Sequence, residues 1–251
     1  GREFEVTIKQ AVKAGVLAEY RGARVFIPAS QLSNRYVENL EEFVGKKVTV
    51  KALEVDKSRR RIVASRRQVL QEESDALRAY YEQAGILIAR PAGGTSCRLA
   101  ISAKGGTNAE NHNHNDVGSY AVALGSETMV GDQGGPNSYP GDYFNGDAPQ
   151  KYKIKGSFGH PVPVVDGRTQ SSGGKAKGVV LQKEFTNEKD VFSIDYTSAY
   201  STPNLDKLIR TFVYDRQGEG NFTVGDEFTA KTPIRFETAI TTRADWKILD
   251  D

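Results

Sequence analysis

The chain has 251 residues, enough for one large domain or two ordinary ones. Its 34 Lys and Arg nearly balance 32 Asp and Glu, which excludes a uniformly basic or acidic chain. A single cysteine excludes an internal disulfide, and no apolar run approaches the roughly 20 residues that a membrane-spanning helix needs. We therefore expect no membrane partner.

Charge and glycine content divide the chain near residue 74. Residues 1–74 hold 15 Lys and Arg against 10 Asp and Glu, whereas the remainder holds 19 against 22. Four of the 25 Gly and none of the three His fall in residues 1–74. This asymmetry predicts two modules with different partners.

The first 70 residues contain short runs rich in Val, Ile and aromatic residues, separated by Gly or charged turns. The pattern predicts about five β-strands, with a helical turn at residues 32–40. A unit of this size is typical of a closed OB barrel, which commonly binds oligonucleotides on one face. We therefore predict an OB-type barrel over residues 1–70.

The segment "FIPASQLS", at residues 26–33, is the most specific part of a wider match. Residues 3–70 closely resemble the RNA-binding repeats of a multi-repeat ribosomal protein of the bacterial small subunit. The resemblance implies an OB barrel that binds single-stranded RNA or the ribosome, and it implies a cytoplasmic location. Ala14 and Leu17 stand where strong RNA binders of the wider family often have aromatic residues, which predicts weaker affinity.

Single-stranded nucleic acid is held by aromatic side chains beside a basic groove. The aromatic candidates are also suited to the barrel core, and the basic run could equally be a solvated hairpin. The candidates for nucleic-acid binding are Phe4, Tyr20, Phe26, Lys57, Arg59, Arg60 and Arg61.

Residues 66–84 lack proline and place apolar side chains at roughly helical spacing before Gly85. They predict a helix, with residues 71–84 as a helical linker. Residues 85–251 then contain many short strand-like runs broken by Gly, Pro, Asn and Asp, which predicts an antiparallel β-sandwich. The expected fold class is all-β: a small five-stranded OB barrel, a helical linker and a sandwich.

Two of the three histidines lie in the segment "NHNHND", at residues 111–116. On an extended strand His112 and His114 would share one face. The imidazoles of His114 and His160 and the carboxylate of Asp132 make a donor set that zinc accepts. The residues alone leave two interpretations open, a metal or catalytic site and hydrogen-bonded structural histidines.

The segments "GGTNAENHNHNDVGSYAVALGSETMVGDQGG" and "SFGHPVPVVDGRTQ" resemble the C-terminal β-sandwich of heparinase II/III-like polysaccharide lyases. The resemblance runs from about residue 82 to residue 251. By position it implies His112 as the catalytic-site histidine and His114, Asp132 and His160 as ligands of a structural Zn²⁺. It also implies an acidic, uronate-containing polysaccharide as partner, β-elimination as the reaction, and a periplasmic or secreted location.

Whole lyases of this resemblance carry a helical toroid that supplies a tyrosine and an asparagine to the active site. The barrel occupies that place here, and the sandwich is shorter than the β region of the family, so we expect little or no lyase activity from the chain alone. The two implied locations conflict, which predicts a chimera, whether engineered, natural or an assembly artefact. The remaining hypotheses are an RNA-binding or ribosome-binding module and a carbohydrate-binding sandwich without turnover.

Overall fold

The computed structural model describes residues 2–34, 36–132, 135–242, 245 and 247. The chain divides into two compact units, Gly1–Ala76 and Leu77–Asp251. The division lies inside the predicted linker. No helix in the described part of the chain has the length and apolar character needed to cross a membrane.

The N-terminal unit is a closed barrel of five strands in the order β1-β2-β3-β5-β4. All neighbouring strands pair in antiparallel fashion except β3 and β5, which are parallel. The strands are β1 (Glu3–Val12), β2 (Gly15–Tyr20), β3 (Ala23–Pro28), β4 (Lys47–Asp56) and β5 (Arg61–Ser65). The predicted five-stranded barrel is therefore confirmed.

Alternation along the strands builds the barrel core. Val6 and Ile8 on β1 and Val25 and Ile27 on β3 are buried, while the residues between them are more exposed. Alternate side chains of a strand point to opposite faces, so one apolar set fills the interior. The buried set is Val6, Ile8, Val16, Ala18, Val25, Ile27, Leu32, Val48, Val50 and Ala64.

The helical predictions near this unit need correction. The described residues of 32–40 contain no regular turn of helix; instead, short 3₁₀ turns flank that segment at Ala29–Gln31 and Leu40–Phe43. The predicted helix at 66–84 is α1 (Arg67–Leu77), and residues Arg78–Tyr81 form strand β6 instead.

The second unit contains two five-stranded antiparallel sheets and a two-stranded one. The first sheet has the order β11-β10-β8-β7-β6, and the second has the order β16-β15-β14-β13-β9. The strands of the first sheet beyond β6 are β7 (Ile86–Ala89), β8 (Leu99–Lys104), β10 (Tyr120–Leu124) and β11 (Glu127–Val130). Those of the second sheet are β9 (Gly106–Asn108), β13 (Gly173–Phe185), β14 (Lys189–Asp195), β15 (Leu205–Asp215) and β16 (Asn221–Ala230).

The small sheet pairs β12 (Pro163–Val165) with β17 (Phe236–Thr238), and a short helix, α2 (Ala148–Lys151), precedes it. One apolar core joins side chains of both large sheets. Leu87 and Ile101 contribute from the first sheet, and Phe192, Leu208 and Phe212 contribute from the second. The mostly strand architecture agrees with the predicted all-β class and its antiparallel sandwich.

A buried ion network fixes β6 within this unit. The Asp190 carboxylate on β14 accepts a hydrogen bond at 2.9 Å from Arg78 Nε on β6 and another from the Arg216 guanidinium. All three side chains are almost fully buried. One carboxylate thus pairs with two buried cations, 112 and 26 residues away in sequence, and its loss would remove the negative charge that offsets their desolvation.

Candidate metal centre and candidate nucleic-acid interface

His112 and His114 lie in the loop between β9 and β10. This corrects the expectation of an extended strand, since His112 has φ +60°, a left-handed conformation. His112 is exposed and His114 is half-buried. Because of this turn the two imidazoles contact different neighbours: His112 contacts Phe144, and His114 contacts His160. The two rings therefore do not share one face, as they would on a strand.

The structure brings His114, Asp132 and His160 together. One potential ligand atom from each residue lies within 4.8 Å of the other two. His114 Nδ1 is 3.2 Å from His160 Nε2, and His160 Nδ1 is 2.8 Å from Asp132 Oδ2. Asp132 follows β11 by two residues, while His160 follows a 3₁₀ turn at Ser157–Gly159. Three separate segments therefore converge on one cluster.

Burial shapes the chemistry of this cluster. His160 is fully buried, and its Nδ1 makes no aligned hydrogen bond within the described part of the chain despite its short distance to Asp132. Burial, with a further contribution from neighbouring His160, lowers the pKa of His114. A lowered pKa favours the neutral imidazole, which is the form that ligates metals.

The donor set fits a zinc ion. Zinc bonds of about 2.0–2.2 Å to nitrogen or oxygen place tetrahedral ligand atoms roughly 3.3 Å apart. The ligand atoms here lie within 4.8 Å of one another, so side-chain movements of about 1–2 Å would close them around an ion. The hydroxyl of Tyr143 lies 3.3 Å from His114 Nε2 and holds the other side of that ring. A hydrogen bond to the second ring nitrogen fixes the orientation of a ligating histidine.

His112 lines a separate cleft of about 410 Å³. Its ring lies 4.4 Å from the ring of Phe144, centroid to centroid. Apart from these two aromatic groups, the wall is mostly amide and small side chains, with one acid and one base. It is formed by Asn108, Ala109, Glu110, Asn111, His112, Asn113, Asn115, Phe144, Asn145, Gly146, Pro149, Lys155 and Ser172.

Several polar residues around His112 hold the loop itself. The Asn108 amide donates to Gln170 Oε1 at 3.0 Å, and the Asn115 amide donates to the Gln170 carbonyl at 2.9 Å. Asp116 pairs with Lys104 on β8. These contacts connect the loop to β8 and to the segment that precedes β13, so a buried polar network sets the positions of the histidines.

In the barrel, the predicted aromatic residues divide into two kinds. Phe4 and Tyr20 pack against the core, with ring centroids 4.5 Å apart. Phe26 on β3 lies between the buried residues Val25 and Ile27 and so points outward, opposite Leu17 on β2. Of Phe4, Tyr20 and Phe26, the aromatic residue available for stacking on a base is therefore Phe26.

Arg24 and Arg61 flank Phe26 on the same outer face. Arg24 is two residues before Phe26 on β3, and in the parallel register it lies opposite Arg61, as Phe26 lies opposite Val63. Both arginines are exposed, and neither has a carboxylate within ion-pair distance among the residues that the structure describes. In the strand registers Glu19 on β2 lies opposite Arg24, and Asp56 on β4 lies opposite Arg61. Like charges opposite each other destabilise a sheet. An anionic partner would relieve that repulsion.

The rest of the predicted basic stretch forms the exposed turn between β4 and β5. Lys57, Arg59 and Arg60 are all exposed there, and Arg59 lies 3.8 Å from Asp56. Arg60 reaches the β2–β3 turn, where a Cβ on Gly22 would lie 2.9 Å from its guanidinium. The turn therefore extends the basic surface from Arg61 towards Arg24, a residue that the sequence interpretation missed.

Different parts of the chain are similar to different known proteins. The family model of the S1 RNA binding domain matches residues 1–67. Small ribosomal subunit protein bS1 of Streptococcus pneumoniae is 46% identical over 82 residues, which are 32% of this chain and 20% of that protein. A 4-hydroxy-3-methylbut-2-enyl diphosphate reductase of Clostridium acetobutylicum is 43% identical over 74 residues, 29% of this chain and 12% of that protein.

The solved structure of heparan sulfate lyase HepC from Pedobacter heparinus covers 62% of this chain and 22% of its own, with 17% identity and a TM-score of 0.48. The chain spans a fifth or less of the curated relatives named above, so their whole-protein activities are not carried over. Residues 1–67 thus match the S1 RNA binding domain and contain all five strands of the closed barrel.

Proposed function

We propose that the chain binds single-stranded RNA through the outer face of its barrel that carries Phe26, Arg24 and Arg61. The observation that carries this proposal is the pair of exposed arginines in register beside an outward aromatic residue, neither of them in a close ion pair within the described residues. Arginines attract phosphates, and an aromatic ring stacks on bases with little regard to sequence. The match of residues 1–67 to the S1 RNA binding domain supports the same function.

The test is fluorescence anisotropy with labelled single-stranded RNA at several salt concentrations. We compare the wild type with an Arg24→Ser, Arg61→Ser double variant. The matched control is Lys47→Ser on β4, which removes an exposed lysine that pairs with Glu5. Weaker binding by the double variant alone supports the proposal. Equal RNA affinity of the double variant and the wild type, or no binding at low salt, contradicts it.

We further propose that the second unit is a zinc-containing sandwich of the uronate-lyase type. The convergence of His114, Asp132 and His160, with a buried imidazole nitrogen that lacks an aligned hydrogen bond, favours this second function. The resemblance of the histidine segments to heparinase II/III-like lyases supports it. When bound, the ion would fix the three segments that carry its ligands and so hold the His112 loop.

In that chemistry His112 is the group placed to move a proton. A neutral imidazole takes the proton from the sugar carbon next to the carboxylate, and the electron pair left on that carbon forms a double bond as the glycosidic oxygen leaves. The leaving oxygen takes up a proton, so the products are an unsaturated sugar and a new chain end. General base catalysis is most effective when the pKa of the base lies near the working pH, as that of histidine does.

Elemental analysis tests the metal part. Wild type should contain about one zinc per chain, and His114→Ala and Asp132→Ala should lose it, because three protein ligands are the usual minimum of a zinc site. His112→Ala is the control and should keep the metal. Absence of zinc from folded wild-type protein after growth with added zinc would contradict the site. The ultraviolet absorbance of unsaturated product on uronate polymers tests the elimination separately.

A further inference from the structure

Lys155 is a buried lysine in the wall of the cleft that His112 lines. Only 5% of the residue is exposed, and its ammonium donates a hydrogen bond of 2.7 Å to the Tyr143 carbonyl oxygen. The ammonium also lies 5.1 Å from the ring centroids of Tyr143 and Phe144. Burial lowers the pKa of this lysine. These contacts hold the cation in place without neutralising it.

No carboxylate lies within ion-pair distance of Lys155 among the residues that the structure describes. Glu110 is the acid in the same wall, and its Oε1 accepts a hydrogen bond of 3.2 Å from the Thr107 hydroxyl. An ammonium has three donor hydrogens, of which the Tyr143 carbonyl takes one. A buried charge without a counter-ion is costly, so the site is prepared for an anion.

Phe144 places this cation beside His112. The ring of Phe144 is 4.4 Å from the His112 ring and 5.1 Å from the Lys155 ammonium. Asn111 and Asn145 line the same cleft. Amides bind hydroxyl groups, and an aromatic face packs on the apolar side of a sugar ring. The cleft thus combines groups for hydroxyls, for a ring face and for one negative charge.

We propose that Lys155 binds the acidic group, carboxylate or sulfate, of a sugar residue held in this cleft next to His112. The inference rests on the second proposed function and deepens it, because it assigns the residue that selects acidic over neutral sugars. Lys155 acts here as a binding residue. A lysine at this position also offsets the negative charge that builds on a uronate when its neighbouring carbon loses a proton.

The test is calorimetric titration with short oligosaccharides of alginate, heparin and cellulose. Alginate carries carboxylates, heparin carries carboxylates and sulfates, and cellulose is neutral. All proteins carry the changes Arg59→Ser, Arg60→Ser and Arg61→Ser, which remove the basic turn of the barrel as a competing polyanion site. We expect Lys155→Met to weaken acidic-sugar binding at least about tenfold, as loss of one charge-assisted hydrogen bond requires. Lys155→Arg should stay close to wild type.

Lys153→Met is the matched control, because Lys153 is exposed and does not line the cleft. Binding of both acidic sugars identifies the carboxylate as the recognised group, and binding of heparin alone identifies the sulfate. Acidic-sugar binding that is unchanged in Lys155→Met, or a wild type that binds cellulose as tightly as alginate and heparin, would overturn the proposal. So would a wild type that binds none of the three.

A measurement on the unaltered lysine covers the case in which Lys155→Met fails to fold. Ligand addition should shift the side-chain amine resonance of Lys155, assigned by its loss in Lys155→Arg; no shift at saturation contradicts the proposal. Zinc content distinguishes failure of the proposed zinc site from failure of the role proposed for Lys155. Absence of zinc from folded wild type is a failure of the proposed metal site. Zinc together with Lys155-independent binding is a failure of this inference alone.

Discussion

Arg24 on β3 lies directly opposite Arg61 on β5 in the parallel part of the barrel, so two positive charges meet across one pair of strands. If both arginines contact phosphates, removal of the two arginine side chains lowers the salt dependence of RNA binding. For single strands the slope of log K against log salt falls by about 0.7 for each lost phosphate contact. We expect a decrease of roughly 1.4 in the Arg24→Ser, Arg61→Ser variant, measured by anisotropy over a salt series. An unchanged slope would mean that these two arginines do not contact RNA phosphates.

Replacement of Phe26 should affect RNA binding, whereas replacement of Phe4 should affect stability. Phe26 points outward, so Phe26→Ala is expected to weaken RNA binding by about 1–3 kcal/mol, with a small change in stability. Phe4 packs on Tyr20 against the core, so Phe4→Ala is expected to lower the free energy of unfolding by about 2 kcal/mol. RNA titration and urea unfolding of both variants provide the comparison. Stronger destabilisation by Phe26→Ala than by Phe4→Ala would reverse the assignment.

Asp190→Asn should strongly destabilise the second unit. The change removes the carboxylate that pairs with both Arg78 and Arg216, so two buried guanidinium groups lose the negative charge that they share. Breaking a buried ion pair from one side costs about 3–5 kcal/mol. Urea unfolding, followed by far-ultraviolet circular dichroism, measures the decrease in the free energy of unfolding. Asp206→Asn is the control, since that carboxylate is half exposed and 3.6 Å from Lys231; a similar cost for both variants would contradict the role of burial.

Chelation should lower the thermal stability of the wild type if zinc is bound. A ligand present at 100 times its dissociation constant stabilises a fold by about 2.7 kcal/mol. For a unit of this size that corresponds to a melting temperature roughly 5–10 °C lower after treatment with a chelator. Calorimetric scans with and without chelator measure the shift. His114→Ala provides the control, because its melting temperature should no longer respond; an equal response would show that the chelator acts elsewhere.

The sequence predicts the regular parts of both units because alternation is a local property. Val25 and Ile27, or Val6 and Ile8, reveal their strands without knowledge of the neighbouring ones. Strand β6 is different. Tyr80 and Tyr81 also fit helical spacing after Ala76 and Leu77, and the contact that helps to hold Arg78 in a sheet involves Asp190, which is 112 residues away. A local pattern cannot contain that information.

The candidate sites show the same division. The histidines and Asp132 stand out by residue type, but the turn at His112 depends on a left-handed backbone that an i, i+2 pattern does not indicate. Lys155 gives no signal, because lysines are mostly exposed and its burial follows from packing on Tyr143 and Phe144. Arg24 becomes informative only once the parallel register places it opposite Arg61. Residue chemistry is visible in the sequence, whereas juxtaposition is not.

The closed order of the five barrel strands has a consequence for self-association. Each strand of the barrel has a hydrogen-bonded neighbour on both sides, so it offers no open edge on which another chain could add a strand. In each five-stranded sheet of the second unit, the terminal strands have one such neighbour among the strands that the structure describes. Amyloid-like stacking, if it is induced by heat or concentration, should therefore begin at the outer strands of the second unit and leave the barrel as the slower part to convert.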